Sequence, residues 1–214
     1  MIVSFSGIDG SGKTTQINLL TDYCECHGIK YMKKWSKARG TPFIMFLKQF
    51  VRRDKKMEQA KKLEHREQIY NSGWKKKVLY VASLLDLCMY WGIYFRIVKH
   101  RCKLLILDRY IWDTYVEVSY EFGIDNLEKH FMWKLVKCCA VTPDVSILLV
   151  IPAEESLRRD LLKGEITTDD IAIKAAKTGM YMKLKDKGFW NTCIESMTTV
   201  EYTHNEILSA LNYK

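Results

Sequence analysis

The sequence predicts an α/β fold: a doubly wound, five-stranded parallel sheet between two helix layers, in a single domain over residues 1–214. Three observations predict it. The β-branched apolar run Ile2-Val3-Ser4-Phe5 leads into a glycine-rich loop and then the amphipathic stretch Gln16-Ile17-Asn18-Leu19-Leu20. The continuous apolar runs Leu104–Leu107 and Val145–Ile151 are of the kind that fill buried parallel strands. Strand-like and helix-like segments alternate to the end of the chain, with no internal repeat or low-complexity linker.

The first strand ends in Gly7-Ile8-Asp9-Gly10-Ser11-Gly12-Lys13-Thr14, the spacing G-x-x-x-x-G-K-[ST] of a P-loop. The chemistry explains the spacing. Glycines let successive backbone N–H groups converge on phosphate oxygens, and the helix that follows adds its positive end. Gly7 through Thr15 are therefore the candidate nucleotide-binding segment, so the three-layer α/β/α fold is of the P-loop NTPase type. Lys13, on a loop expected to face solvent, reaches toward β- and γ-phosphates, and the Thr14 hydroxyl suits Mg²⁺.

Gly28 marks the end of the first helix, and Ile29 to Trp35 reads as the second strand. Gly40-Thr41-Pro42 opens a helical segment whose Phe43, Phe46, Leu47, Phe50 and Val51 share one apolar face. The charged stretch Asp54 to Arg66 continues as an exposed helix until Asn71-Ser72-Gly73 breaks it. Val78 to Val98 is the most hydrophobic stretch, but Asp86 and Arg96 within it argue against a membrane span. It is expected to be a long, mostly buried helix ended by Lys99-His100-Arg101, and a possible subunit interface. The third and fourth strands follow at Leu104–Leu107 and Val145–Ile151. Ala153 to Lys163 and Asp169 to Asp186 read as helices, and a short strand is expected near Cys193-Ile194. Thr198-x-x-Glu201 has the form of a capping box for the last helix.

The net charge of +9 is uneven: between Lys48 and Lys77 eleven Lys/Arg face four Asp/Glu. No aromatic-rich platform or DNA-binding motif accompanies that run, so it reads as a solvated helical face and not as a nucleic-acid surface. The seven cysteines form no C-x-x-C pair, and the chain reads straight into a strand with no signal segment. Reduced thiols in the cytoplasm are the expectation. The five histidines form no i,i+4 pair.

A P-loop needs a partner carboxylate near Mg²⁺ at the end of an apolar strand, and Asp108 after Leu104–Leu107 meets that need. Arg109 beside it suits a phosphate-bearing acceptor, because guanidinium matches phosphate oxygens bidentately.

The set Phe5-x-Gly7-Ile8-Asp9-Gly10-Ser11-Gly12-Lys13-Thr14-Thr15-Gln16, Asp108-Arg109-Tyr110 and Pro143-Asp144 resembles the thymidylate kinase family of nucleoside monophosphate kinases. Leu157-Arg158-Arg159 through Lys163-Gly164-Glu165 looks like that family's lid, over about 158–168. The resemblance implies phosphoryl transfer from ATP, with Mg²⁺, to a small-molecule acceptor, most simply dTMP, in a homodimer. It implies that Asp9 contacts the acceptor's sugar and Arg109 its phosphate, and that Thr14 and Asp108 serve Mg²⁺. Family members place a catalytic arginine in the P-loop or in the lid. The loop position here is Gly10, so Arg159 is the candidate, with Lys13 and Asp108 beside it.

The acceptor side departs from the family pattern. The Arg-Glu-Pro-Gly-Gly-Thr segment appears as Ser36-Lys37-Ala38-Arg39-Gly40-Thr41, where Arg39 and Lys37 stand in for lost phosphate contacts. The arginine of the long middle helix falls near Leu84. The usual Ser-Ser and Tyr-Gln become part of Ile111-Trp112-Asp113-Thr114-Tyr115-Val116-Glu117-Val118, where Trp112 is placed to wall the acceptor pocket. Two alternatives follow: a kinase for another acceptor, such as a nucleoside or glycan intermediate, and a non-catalytic ATP-sensing protein.

Overall fold

The computed structural model describes residues 1–35, 81–82, 84–162 and 169–213. Outside them lie the expected helices after Pro42 and over Asp54–Arg66, the break at Asn71, the basic run Lys48–Lys77, the segment Ser36–Thr41 with Arg39, and the lid residues Lys163–Glu165. The elements in chain order are β1 (Ile2–Ser6), α1 (Lys13–Cys26), β2 (Tyr31–Trp35), α2 (Phe95–Val98), β3 (Leu104–Asp108), α3 (Ile111–Phe122), α4 (Phe131–Cys139), β4 (Val145–Val150), α5 (Ala153–Leu162), α6 (Ile171–Asp186), β5 (Thr192–Glu195) and α7 (Val200–Ala210). The chain forms two compact units, one of residues 1–36, 97–125 and 142–214, the other of 37–96 and 126–141.

The first unit holds the sheet, in the order β2-β3-β1-β4-β5 with every pair parallel. β1 lies between β3 and β4, with Phe5 opposite both Asp108 and Ile147. From β1 the chain goes to the edge strand β2, returns to β3 beside β1, and then crosses to β4 and β5 on the other side, and the loops after β1 and β3 open at the same end of the sheet. That end of an open parallel sheet is where ligands bind.

The period of two in the strands explains the layers. Val3 and Phe5 of β1 pack with Leu104, Ile106, Ile147, Leu149 and Ile194 against Ile17, Leu20 and Cys24 of α1 and Ile207 and Leu211 of α7. Each fully buried Leu or Ile of that layer contributes roughly 1.5–3 kcal/mol. Ser6, of opposite parity, bonds instead into α3. α3 packs on α6, and α6 on α5, so helices cover both faces. β2 starts at Tyr31, two residues later than the sequence pattern suggests, because the Ile29 N–H still donates to the Cys24 carbonyl at the end of α1, at 2.8 Å. The last helix is capped by Thr199, whose side chain accepts from the Tyr202 N–H, and not by Thr198 as the capping-box spacing implies. Thr198 instead places its hydroxyl against that of Thr203.

In the second unit the hydrophobic stretch is helical, with a π-helical turn over Tyr90–Tyr94. One face is buried through Leu84, Leu87, Trp91 and Phe95, along with Leu127, Trp133 and Val136. Gly92 permits a close approach: a Cβ there would stand 3.1 Å from the Cys139 carbonyl oxygen. The opposite face is not buried. Val81, Leu85, Met89 and Ile93, spaced by four, are 39, 48, 65 and 59% exposed. Among the described residues no helix is long and apolar enough to cross a membrane.

Candidate functional site

The glycine-rich loop joins β1 to α1 in a backbone that its glycines make possible. Gly10 and Gly12 adopt φ of 75° and 87°. At Gly10 any Cβ would sit 3.0 Å from the Ser156 carbonyl oxygen, so α5 is pressed against the loop. Ser156 Oγ donates to the Asp9 carbonyl at 2.6 Å and accepts from Lys174 Nζ at 2.9 Å. Lys174 Nζ also bonds Asp160 Oδ2 at 2.6 Å, an ion pair with side chains 3 and 2% exposed. One buried polar chain from α6 through α5 thus supports the loop from below.

Lys13 does not face solvent as expected: it is 7% exposed, with its ammonium turned back onto the loop. Nζ donates to the Gly7 carbonyl at 2.8 Å, the Ile8 carbonyl at 2.7 Å and Ser11 Oγ at 3.2 Å. Burial pushes its pKa down to about 7, and Arg109 adds to that, against the opposing pull of Asp9, Asp113 and Asp108. The sequence motif implies an extended lysine, but the carbonyls of its own loop capture the ammonium.

Asp108 ends β3, half-buried, and its carboxyl is raised by burial, which outweighs the pull of Lys13 and Arg109. Thr14 stands exposed in the first turn of α1. A hydroxyl and a carboxylate are hard oxygen donors, a set that suits a Mg²⁺ shared with phosphate oxygens.

Arg109 follows at φ 66°, a left-handed conformation that costs a non-glycine residue about 1–3 kcal/mol and that clusters at functional sites. Its N–H bonds the Phe5 carbonyl at 2.9 Å, which fixes the kink against β1. Its guanidinium is 9% exposed, pairs with Asp9, and donates to the Gly7 carbonyl at 3.4 Å. Burial opposes the charge, but Tyr181, Asp9, Asp113 and Glu117 hold its pKa above the ordinary arginine value. Lys13 and Arg109 therefore meet on one carbonyl oxygen.

Arg159 of α5 closes a third side. It donates to Gly10 O at 3.3 Å and Ser196 O at 2.8 Å, and Glu155 Oε1 holds it at 2.6 Å. Arg158 is 63% exposed and bonds Glu155. Hydrogen bonds from Arg158, then Arg159, hold the Glu155 carboxyl at about 2. Of the two lid arginines, Arg159 alone bonds the loop among the described residues.

Beside the Asp9–Arg109 pair lies a cleft lined by Ile8, Asp9, Arg109, Val116, Glu117, Asp169, Lys174, Lys177 and Tyr181. Trp112 is not among its walls. That ring stacks on Phe189 at 4.0 Å and meets Trp190 edge-on, packing α3 against the chain that follows α6. Arg39 lies outside the described residues.

Two groups of residues escape a reading of the sequence. Lys174 and Asp160 are ordinary helix charges until the fold pairs them. Asp113 is a second: it is buried, and it accepts from Ser6 Oγ at 2.6 Å, Gly7 N at 3.2 Å, Tyr110 N at 3.1 Å and Tyr181 Oη at 2.7 Å. The available signal was an acidic residue three positions after Tyr110, the N3 position of α3.

The chain matches the thymidylate kinase family over residues 5–207. It is 29% identical over 219 residues to the thymidylate kinase of Sulfurihydrogenibium sp., covering 99% of this chain and 97% of that one. It is 24% identical over 217 residues to the "Probable thymidylate kinase" of Pyrococcus horikoshii, covering 99% and 96%.

Proposed function

The chain belongs to the thymidylate kinase family, whose members are ATP-dependent kinases, and we propose that it transfers the γ-phosphoryl group of ATP to dTMP. The observation that carries this reading is the convergence of cations on one loop. Lys13 and Arg109 share the Gly7 carbonyl, and Arg159 takes the Gly10 carbonyl. Each comes from a different element, and phosphate oxygens compete well for such donors.

In this reading the loop amides from Gly7 to Thr15 and the Lys13 ammonium hold the β- and γ-phosphates. Asp9 meets the acceptor's sugar. Arg109 moves from its pair with Asp9 to the acceptor's phosphate and aims one phosphate oxygen at the γ-phosphorus. That oxygen forms the new P–O bond as the bond from Pγ to the β-bridging oxygen breaks, and ADP leaves with the electron pair. Arg159 neutralises charge on the equatorial oxygens while it passes. Thr14 and Asp108 would hold Mg²⁺, which would supply positive charge to offset that of the donor's phosphates. The cleft beside Asp9 and Arg109 receives the acceptor, with Glu117 on its wall and Trp112 bracing α3 behind it. Arg39 is assigned to the acceptor phosphate on the sequence reading alone.

We treat 1–214 as one kinase domain, because the chain leaves the first unit and returns to it twice. The exposed stripe Val81, Leu85, Met89 and Ile93 supports a homodimer packed through that helix. The free thiols of all seven cysteines fit a reducing compartment, the cytoplasm.

Acceptor choice is tested by chromatography of products from ATP with dTMP, dUMP, dCMP, AMP or thymidine. Preferential formation of dTDP supports the proposal. Preferential use of another acceptor replaces dTMP with that compound.

A further inference from the structure

Burying a carboxylate is expensive unless it is fully hydrogen-bonded, and Asp113 is 2% exposed. Its oxygens are saturated with donors from four places in the chain. Oδ2 takes Ser6 Oγ, at the end of β1, and Tyr110 N, at the start of α3. Oδ1 takes Gly7 N, the head of the glycine-rich loop, and Tyr181 Oη of α6. The Arg109 guanidinium faces the same oxygen at 3.7 Å.

These partners are not a random set of core donors. Gly7 is held at its N–H by Asp113 and at its carbonyl by Lys13 and Arg109. A shift of the Asp113 carboxylate therefore moves the head of the nucleotide loop and the acceptor-side arginine together. Burial of Tyr181 beside Asp113 pushes the phenol well above its usual range, so that hydroxyl stays protonated and stays a donor.

We infer that Asp113 is a positioning residue: through Arg109 it sets the acceptor phosphate in register with the phosphoryl group held by the loop. The inference rests on the proposed role of Arg109. A residue that merely capped α3 would add stability and nothing more. A positioning residue acts through Arg109, and its effect disappears when Arg109 is gone.

The experiment is a double-mutant cycle of Asp113→Asn and Arg109→Ala, read as KM for dTMP, KM for ATP and kcat. The amide keeps the shape but loses the charge and half of the acceptor capacity. Misplacing an aligned group by about 1 Å costs up to about 10²-fold, so D113N is expected to raise KM for dTMP about tenfold, with KM for ATP within about threefold. In the R109A background the same change is expected to cost less than about threefold. An equal cost in both backgrounds, or a normal KM for dTMP in D113N, overturns the inference.

A second readout needs no turnover. In protein labelled with ¹⁵N-arginine, the Arg109 Nη–H protons of the unliganded enzyme are expected to exchange at least about tenfold faster in D113N than in the parent. Tyr181→Phe, which spares the carboxylate, serves if D113N does not fold, and should speed the same exchange about threefold. Unchanged exchange overturns the inference. Absence of dTDP from the parent enzyme would defeat the proposed acceptor and leave the exchange result to decide Asp113.

Discussion

Replacing Arg159 with alanine separates a catalytic charge from a structural one. The side chain is 26% exposed, and its bonds run to Gly10 O, Ser196 O and Glu155. Water reaches those carbonyls once the guanidinium is gone, so the fold loses only about 1 kcal/mol, the ordinary net worth of such bonds. The rate loss is larger. A preorganised donor aimed at charge that develops in the transition state is worth about 2.7–4 kcal/mol, two to three decades in rate. R159A is therefore expected to lower kcat about 10²–10³-fold with the melting temperature nearly unchanged. Coupled ADP release at saturating ATP and dTMP measures it. Arg158→Ala is the control, because Arg158 is exposed and among the described residues bonds only Glu155, and its kcat should stay within about threefold. A kcat for R159A within about threefold of the parent would refute the assignment and move the charge to another lid residue.

The other predictions can be checked with the same preparations. Lys13→Met abolishes transfer and leaves the melting temperature equal or higher, because it removes an ammonium whose pKa burial pushes down to about 7; a lower melting temperature would contradict the burial cost. Arg109→Ala raises KM for dTMP at least about tenfold and leaves KM for ATP alone, since a phosphate pair of this kind is worth more than about 1.4 kcal/mol; the kinetic split decides it. Asp160→Ala strands the Lys174 ammonium and costs about 3–5 kcal/mol in urea titrations, and adding Lys174→Met recovers most of the loss. Met89→Glu together with Ile93→Glu is expected to convert the proposed dimer to monomer in sedimentation velocity, and an unchanged species would remove that helix face from the proposed interface.

The strands and the loop were legible because each carries its signal within a few residues. Leu104–Leu107 is apolar at every position because both of its faces are covered, and the glycines of the loop sit where φ must be positive. Asp108 and Arg109 were legible for the same local reason, as the end of such a strand. Asp113 was not, since its partners Ser6 and Tyr181 lie 107 and 68 residues away and only the fold brings them together. Lys13 misled in the opposite way. Its motif names the ligand it serves, while its resting position is set by carbonyls that the motif does not mention. Trp112 looked like a pocket wall because it follows Arg109, but the helical turn swings its ring toward Phe189. The hydrophobic stretch was expected to be mostly buried, yet its apolar residues cover more than one face and one stripe is left exposed.

The central claim is transfer from ATP to dTMP at the loop. The most direct measurement is the initial rate of ADP release from ATP and Mg²⁺ with and without dTMP, using Lys13→Ala as the blank. The account predicts release that depends on dTMP, matches dTDP mole for mole, and vanishes in the blank. Release indifferent to dTMP, or undiminished by the loss of Lys13, would contradict it.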